Sequence, residues 1–334
     1  MRITAVVPML NESATLRELH TQLRQVASEQ GYQLEIVFVD DGSTDDSWAV
    51  IESLAAEDPN LRGVRLRTNF GKAAALSAGF SQAKTPLVVT LDGDLQDDPA
   101  ELPKLLAKID DGYDVVSGWK KVRNDPVDKV LPSRAFNWLV SRLTGVQLHD
   151  HNCGLKCYRR EVLREVRLYG ELHRYIPVLA AARGFRVAEA AVNHRPRKHG
   201  KSKYGASRFV KGLLDLVTVK FLTGYGQRPL HPFGGAGLVA LLIGGVGMSW
   251  LAGRWVWSRL FESVPDIHLH ETASLFYSLA FLFIGAQLLT VGLLGEMITA
   301  LLARNIRAYS IADKTAPASN PAGPIGDPAG SEAE

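Results

Sequence analysis

Two long uncharged segments near the C-terminus constrain the fold of this chain more than any other feature. Residues 233–253 and 273–295 contain no Asp, Glu, Lys or Arg. A helix rises about 1.5 Å per residue, so each segment can cross a hydrocarbon core of roughly 30 Å. Because neither segment has a polar face, a pair of buried core helices is disfavoured. The sequence therefore predicts a two-helix transmembrane hairpin.

The charges around the hairpin predict its orientation. Arginines lie before the first segment and after the second, whereas the connection 254–272 carries both signs of charge. Because cytoplasmic loops are enriched in Lys and Arg, we expect both termini in the cytoplasm and a short extracytoplasmic loop. Tryptophans near the end of the first segment fit an interfacial belt. The residues concerned are Arg228, Arg304 and Arg307, and Trp250, Trp255 and Trp257.

The part of the chain before the hairpin alternates between strand-like and helix-like runs. The predicted strands are 3–8, 34–40, 61–67, 86–92 and 113–119, and the predicted helices are 14–30, 46–57, 72–83 and 100–110. Ser13 is the predicted N-cap of the first helix. This alternation predicts an α/β fold with a mostly parallel sheet flanked by helices. Ligands of such sheets bind outside the carboxyl ends of the strands.

Composition and motif searches disfavour several classes of function. The chain has 38 Lys+Arg and 35 Asp+Glu, a near-neutral balance that does not suggest a nucleic-acid-binding protein. It has neither G-x-G-x-x-G nor G-x-x-x-x-G-K-[ST], which disfavours a dinucleotide oxidoreductase and a P-loop NTPase. Cys153 and Cys157 match neither a redox motif nor a zinc site, so we predict reduced structural thiols. The N-terminus lacks a signal-peptide pattern, so we expect the first domain to stay in the cytoplasm.

Two acidic motifs follow predicted strands. In DDGSTD (40–45), a carboxylate can bind a base or ribose, although an Asx-turn with a helix cap explains the motif equally well. In LDGDLQDD (91–98), Asp92 and Asp94 can share one divalent cation, because hard oxygen ligands suit Mg²⁺ and Mn²⁺. An acidic loop that faces solvent is the alternative for this second motif.

The remaining acidic residues of the second motif receive a different interpretation. Asp97, Asp98 and Glu101 lie around Pro99. Negative charge is stabilising at a helix N-terminus, so we predict that these residues turn the chain and favour the following helix.

A basic and amphipathic segment separates the predicted sheet from the hairpin. Residues 193–211 contain a run of Lys and Arg without a carboxylate. This run predicts either a phosphate clamp at the membrane surface or a general attraction to anionic lipid. Residues 205–229 have an apolar stripe with basic flanks, which fits a helix on a membrane surface and also one packed on the globular domain.

Six motifs in order resemble the family 2 glycosyltransferases of the GT-A fold: VVPMLNE, VDDGSTD, NFGKAAAL.AGF, LDGDLQD, CGLK and RPRKHGKSKYG. The sequence is most similar to polyprenyl-phosphate glycosyltransferases, including dolichol-phosphate mannose synthases and bacterial undecaprenyl-phosphate sugar transferases. The resemblance covers about residues 3–230, and the hairpin matches the bacterial members. It implies inverting, metal-dependent transfer of a sugar from a UDP- or GDP-linked donor to polyprenyl phosphate at the cytoplasmic face of the inner membrane.

The resemblance also implies roles for individual residues. Pro8, Asn11, Glu12, Asp40, Asp41, Lys72 and Asp92 would bind the nucleotide sugar. Asp92, Asp94 and Gln96 would form the site for Mg²⁺ or Mn²⁺, with Asp94 as the direct ligand. Arg123 and Arg134 would lie near the diphosphate and the acceptor phosphate, and Asp150 is a candidate catalytic carboxylate. Lys156, Arg197, Lys201, Ser202 and Lys203 would bind the lipid phosphate.

Composition, charge and the apolar segments, together with the resemblance, divide the chain into four predicted parts. They are a cytoplasmic catalytic domain (1–195), a juxtamembrane segment (196–230), the hairpin (231–303) and a mostly disordered cytoplasmic tail (304–334). Glycines in the hairpin can favour close helix packing, so a homo-oligomer is possible.

Two other functions remain as alternatives. A processive polysaccharide synthase would carry Q-x-x-R-W, but WLAGRW (250–255) has Leu251 in place of the glutamine. A membrane scaffold that binds nucleotide sugars without catalysis would not need the Asp92 and Asp94 pair.

Overall fold

The computed structural model describes residues 1–121, 127–196, 207–225, 228–261, 268, 270 and 272–302. The predicted tail lies outside the described residues. Five predicted site residues also lie outside them, namely Arg123, Arg197, Lys201, Ser202 and Lys203.

Seven strands of the described part form one sheet in the order β3-β2-β1-β4-β6-β5-β7. All neighbouring pairs are parallel except those of β6, which runs antiparallel to β4 and to β5. This mostly parallel sheet confirms the predicted α/β class. The strands are β1 (Arg2–Met9), β2 (Gln33–Asp40), β3 (Leu61–Arg65), β4 (Leu87–Thr90), β5 (Val115–Lys120), β6 (Lys156–Arg159) and β7 (Val187–Val192).

Side chains alternate between the two faces of the sheet, so each face has its own core. Ile36 and Phe38 of β2 pack with α1, α2 and α4, whereas Val37 and Val39 pack with α3 on the opposite face. The helices of this domain are α1 (Leu16–Gln30), α2 (Ser47–Glu57), α3 (Lys72–Gln82), α4 (Leu102–Asp110), α5 (Val127–Thr144), α6 (Arg160–Glu165) and α7 (Ile176–Ala182).

The predicted elements agree with the structure to within two residues at each end, but the sequence did not predict β6 or β7. β6 is only four residues long and is buried between two strands, so it lacks an alternating polar pattern. The predicted N-cap Ser13 is wrong, because α1 begins at Leu16 after Thr15. Thr15 Oγ1 donates to Gly93 O (2.6 Å), which anchors this helix start to the loop after β4.

The juxtamembrane helix α8 (Ser207–Gly224) presents apolar side chains on two faces. Leu216 and Val219 are buried in a cluster with residues of α5 and α7. Leu214 and Val217 are exposed, with relative accessibilities of 62% and 61%. Both interpretations of the apolar stripe therefore describe part of this helix: one face packs on the domain, and the other is available to a membrane surface.

The predicted hairpin consists of α9 (Leu230–Leu260) and α10 (Ala273–Leu302). Within the described residues, these are the two helices long and apolar enough to cross a membrane. Both continue beyond the uncharged segments. Glu296 Oε2 accepts a hydrogen bond from Leu230 N (3.3 Å), which joins the last turns of α10 to the start of α9.

Glycines let α9 and α10 approach closely. A Cβ atom at Gly237 would lie 2.9 Å from Gly285 O, and one at Gly244 would lie 2.7 Å from Ser278 O. A Cβ atom at Gly245 would meet no atom within 4 Å. Gly237 and Gly244 are therefore used for packing inside one chain, and a homo-oligomer stays a prediction.

We expect Gly244→Leu to destabilise the hairpin and Gly245→Leu to leave it nearly unchanged. The first substitution forces α9 away from Ser278, and overpacking of this kind costs about 1–3 kcal/mol. Gly245→Leu changes the next residue of the same helix, where an added Cβ atom meets no neighbouring atom within 4 Å. Thermal unfolding of both variants in detergent measures the difference. Equal unfolding midpoints would contradict the observed packing.

Candidate active site

The carboxyl ends of three parallel strands meet at a cleft of about 230 Å³. Pro8 lies on β1, Asp41 follows β2, and Asp94 follows β4. The predicted site residues that line the cleft are Pro8, Glu12, Asp41, Lys72, Asp92 and Asp94. Of the residues predicted to bind the nucleotide sugar, Asn11 and Asp40 are the two that do not line it.

The DDGSTD motif fixes the backbone on one side of the cleft. Asp40 is fully buried, and its Oδ1 accepts from Ser43 N (2.7 Å), which forms the Asx-turn. Asp41 accepts from Phe70 N (2.8 Å) and Gly71 N (2.9 Å), so it holds the loop in front of α3. Burial raises the pKa of Asp41, and these two backbone hydrogen bonds counteract burial only in part.

Asp92 forms an ion pair with Lys72 at the cleft. Burial raises the pKa of Asp92, but the charge and hydrogen bond of Lys72 outweigh burial and lower the pKa to about 2. Asp92 is therefore ionised. Lys72 offsets part of its negative charge, a role that we expected a divalent metal ion to fill.

Asp94 lies in a tight turn after β4, where its Oδ1 accepts from Gln96 N (3.1 Å). Leu95, between them, adopts a left-handed φ of 62°. Gln96 itself does not line the cleft. No group of three metal-ligating side chains occurs in the part of the chain that the structure describes.

Asp92 and Asp94 nevertheless fit a divalent cation that shares a diphosphate. Their side chains line one cleft and supply hard oxygen donors. Mg²⁺ usually binds through one or two carboxylates together with substrate phosphates, so a larger protein cluster is not required. Both carboxylates line the cleft, and Asp94 stays our prediction for the direct ligand.

Asp97 does more than favour a helix N-terminus. Its side chain is 2% exposed, its Oδ1 lies 3.2 Å from Lys120 Nζ, and its Oδ2 accepts from Asp92 N (3.2 Å). Burial lowers the pKa of Lys120, but Asp97 and other nearby acidic groups outweigh burial and raise it. The expectation for this residue was therefore incomplete, because Asp97 and Lys120 form a buried ion pair that supports the Asp92 backbone.

Asp98 agrees with the expectation for a helix start. Its Oδ1 accepts from Ala100 N (2.9 Å) at the short 3-10 helix Pro99–Glu101. Asp98 also pairs with Arg195 at 2.6 Å, which ties the beginning of the basic segment to the sheet.

Gly154, in the CGLK motif, lies directly against the acidic residues. A Cβ atom at this position would lie 2.5 Å from Asp97 Oδ2 and 2.8 Å from Asp92 Cγ. Only glycine leaves room for both carboxylates. The neighbouring Cys153 is a buried free thiol, and burial raises its pKa to about 12.

The profile of the family described as Glycosyl transferase family 2 matches residues 4–167. A dodecaprenyl-phosphate galacturonate synthase of Rhizobium johnstonii is 36% identical over 304 residues, which cover 89% of this chain and 88% of that protein. The chain belongs to glycosyltransferase family 2. An undecaprenyl-phosphate 4-deoxy-4-formamido-L-arabinose transferase of Shewanella sediminis is also 36% identical, over 89% of this chain and 86% of that protein.

Solved structures confirm the GT-A fold of this glycosyltransferase. The glucosyl-3-phosphoglycerate synthase of Mycobacterium tuberculosis, in complex with Mn²⁺, UDP and phosphoglyceric acid, matches with a TM-score of 0.52. The match covers 66% of this chain and 78% of that one at 18% identity. The likeness at this identity concerns the fold alone.

Three further predicted residues of the glycosyltransferase lie away from the main cleft. Asp150 is buried, and its Oδ1 accepts from Asn152 N (3.0 Å). Arg134 is exposed on α5. Lys156 on β6 is buried, and its Nζ donates to Cys153 O (2.5 Å). Burial, together with the charge of Lys72, lowers the pKa of Lys156 to about 8.

His173 and Arg174 lie next to the cleft, and the sequence did not single them out as candidates. They belong to the 3-10 helix Leu172–Tyr175, which precedes α7, and they line a small second cavity beside the cleft. The available signal was a pair of basic residues at the start of an apolar run. That signal does not tell a buried pair from a solvated one.

We expect Gly154→Ala to lower sugar transfer by about 100-fold, since it displaces Asp92 and Asp97 from their positions. Gly224→Ala, at the end of α8, should keep the wild-type rate, because its added methyl meets no atom within 4 Å. Steady-state transfer by the two purified variants tests this. Wild-type activity in Gly154→Ala would show that transfer does not depend on the close approach of residue 154 to Asp92 and Asp97.

We expect Lys156→Met to stabilise the fold while it impairs transfer. The folded-state pKa of Lys156 is about 8 against an ordinary 10.5, so burying the charged form costs stability below pH 8. Met has a similar volume, and it should raise the free energy of unfolding at pH 7 by about 1–3 kcal/mol. This gain should disappear as the pH rises from 8 towards 10.5. A less stable variant with intact transfer would instead assign Lys156 a purely structural role.

Proposed function

We propose that this glycosyltransferase moves a sugar from a UDP- or GDP-linked donor to a polyprenyl phosphate, with inversion at the anomeric carbon. The observation that carries the proposal is the cleft that Asp92, Asp94 and Lys72 line together. Carboxylates that hold a cation, with a lysine beside them, suit a nucleotide diphosphate. The names of the Rhizobium and Shewanella relatives both include a polyprenyl phosphate, which supports the same class of acceptor.

Donor binding places the diphosphate against the acidic turn after β4. Asp94, assisted by Asp92, would hold Mg²⁺ or Mn²⁺ there, and the bound cation would neutralise charge on the leaving diphosphate. Lys72 stays beside Asp92, while the pair of Asp97 and Lys120 holds the Asp92 backbone from behind. The Mycobacterium neighbour was solved with Mn²⁺ and UDP, a combination that supports this arrangement.

The acceptor phosphate is itself the nucleophile. A phosphomonoester has a second pKa near 6, so its oxygen is already largely ionised at neutral pH. That oxygen forms a bond to the anomeric carbon while the bond to the diphosphate oxygen breaks, and the electron pair leaves with the nucleoside diphosphate. A strong general base is unnecessary, so Asp150 positions groups through its hydrogen bond to Asn152. Catalysis then depends on orientation and charge neutralisation.

The membrane-facing part of the chain brings the lipid acceptor to the site. α9 and α10 anchor the protein in the inner membrane, and the exposed apolar face of α8, with Leu214 and Val217, lies on the bilayer surface. The predicted positive-inside orientation puts the catalytic domain in the cytoplasm, where nucleotide sugars are made. The positive charge of the basic sequence 193–211 would favour an anionic headgroup at this membrane face.

We expect Asp94→Ala to abolish transfer and Asp150→Asn only to reduce it. The first removes the proposed cation ligand, whereas the second keeps a hydrogen-bond acceptor next to Asn152. The measurement is lipid-linked product formed from undecaprenyl phosphate and a panel of UDP- and GDP-sugars, with Mg²⁺ or Mn²⁺ supplied. Chelation with EDTA should mimic Asp94→Ala. Near-wild-type product from Asp94→Ala would refute the metal role.

A further inference from the structure

A second cavity of about 10 Å³ lies beside the donor cleft and shares Pro8, Lys72 and Asp92 with it. Its other polar walls include Lys156, His173 and Arg174, which come from β6 and the 3-10 helix before α7. A volume of about 10–15 Å³ holds one water-sized group. The cavity therefore suits a single oxygen of a larger ligand rather than a sugar ring.

The cavity carries more positive than negative charge. Lys72 is matched by Asp92, but Lys156 Nζ donates only to the carbonyl of Cys153 and forms no ion pair among the described residues. Arg174 pairs with Glu171, whose side chain is 42% exposed and thus largely solvated. An anion in the cavity would meet Lys156, which feels the charges of Asp150 and Asp92 without an ion pair in the part of the chain that is described, and Arg174, which interacts with Glu171 and Asp215.

Two buried nitrogen atoms at the cavity have no hydrogen-bond partner in the described part of the chain. They are His173 Nδ1 and Arg174 Nε, and the Arg174 side chain is only 11% exposed. Burial and the surrounding cations hold the pKa of His173 well below its usual range, so its ring is neutral. Arg174 Nε is a donor, and His173 Nδ1 is a donor in one of the two neutral tautomers. A buried polar atom without a partner is unfavourable, so both positions favour a bound polar group.

The segment that carries these nitrogens is firmly held. Leu172 and Tyr175, which flank the pair, are buried, and Tyr175 Oη donates to Gly212 O of α8 (3.0 Å). Asp215 of α8 also interacts electrostatically with Arg174. The helix with the exposed apolar face thus positions the two cavity residues.

We propose that Lys156, His173 and Arg174 form an oxyanion subsite in which one oxygen of a substrate anion sits. The inference rests on the proposed function, which supplies two substrates with such a group. One is the phosphate of the polyprenyl acceptor, and the other is a carboxylate on the donor sugar, as in a hexuronic acid. Arg174 supplies the charge-assisted hydrogen bond, His173 a second polar contact and Lys156 a buried charge.

The test compares Arg174→Met with Arg183→Met, a control whose arginine pairs with Glu165 and does not line the cavity. For each protein, KM and kcat are measured for undecaprenyl phosphate with UDP-glucose and UDP-glucuronate, and with UDP-galactose and UDP-galacturonate. Binding of UDP, which has neither group, checks that the cleft is intact. Arg174→Lys should recover part of the loss.

The two sources of the anion give different results. If the acceptor phosphate occupies the subsite, Arg174→Met raises its KM about tenfold or more with every donor. If the sugar carboxylate occupies it, the preference for the uronate donor falls about tenfold and the acceptor KM stays unchanged. Unaltered KM values for both substrates in an Arg174→Met protein that binds UDP normally would overturn the proposal.

Failure of the proposed function can be told apart from failure of this inference. If the wild-type protein forms no lipid-linked product with any donor, the proposed function fails. Equilibrium binding of undecaprenyl phosphate and of UDP-glucuronate to wild type and Arg174→Met then decides the subsite. Weaker binding of one of these anions to Arg174→Met than to wild type supports the oxyanion subsite. Equal affinity of the two proteins for each anion refutes it.

Discussion

The close contact between Gly154 and the carboxylates of Asp92 and Asp97 is the constraint on which the site depends. β6 runs antiparallel between β4 and β5, and this position brings the CGLK motif next to the acidic turn after β4. Two lysines compensate the carboxylates: Lys72 pairs with the partly exposed Asp92, and Lys120 pairs with the buried Asp97. Removing one partner of the buried Asp97–Lys120 pair would leave an uncompensated buried charge, which is costlier than removing both partners.

The juxtamembrane helix α8 and the globular domain are coupled by packing. α8 buries one face against α5 and the segment around Tyr175, and it leaves an apolar face exposed. The same segment carries His173 and Arg174 to the cavity beside the donor cleft. Under the proposed function, the exposed face of α8 would meet lipid while its buried face holds the segment that lines this cavity.

Much of the fold was predictable from local pattern. The strands β1 to β5 and helices α1 to α4 follow hydrophobic runs that depend mainly on nearby residues, and the hairpin follows from length and charge. Motifs at strand ends placed Asp92 and Asp94 at the cleft, because parallel strands end at a common edge. β6 escaped prediction because it is only four residues long and three of these are buried between two strands, so it carries no periodic signal.

The sequence by itself determined the α/β class, the two apolar helices and the acidic motifs, because each is written in residues close together in the chain. Only the tertiary structure decided which charges meet. Lys120 Nζ lies 3.2 Å from Asp97 Oδ1 because the sheet brings the end of β5 close to the turn after β4. Lys156 and Arg174 line one cavity although they belong to separate elements. Whether a charged side chain is solvated or buried depends on neighbours distant in sequence, so pattern alone could not assign these roles.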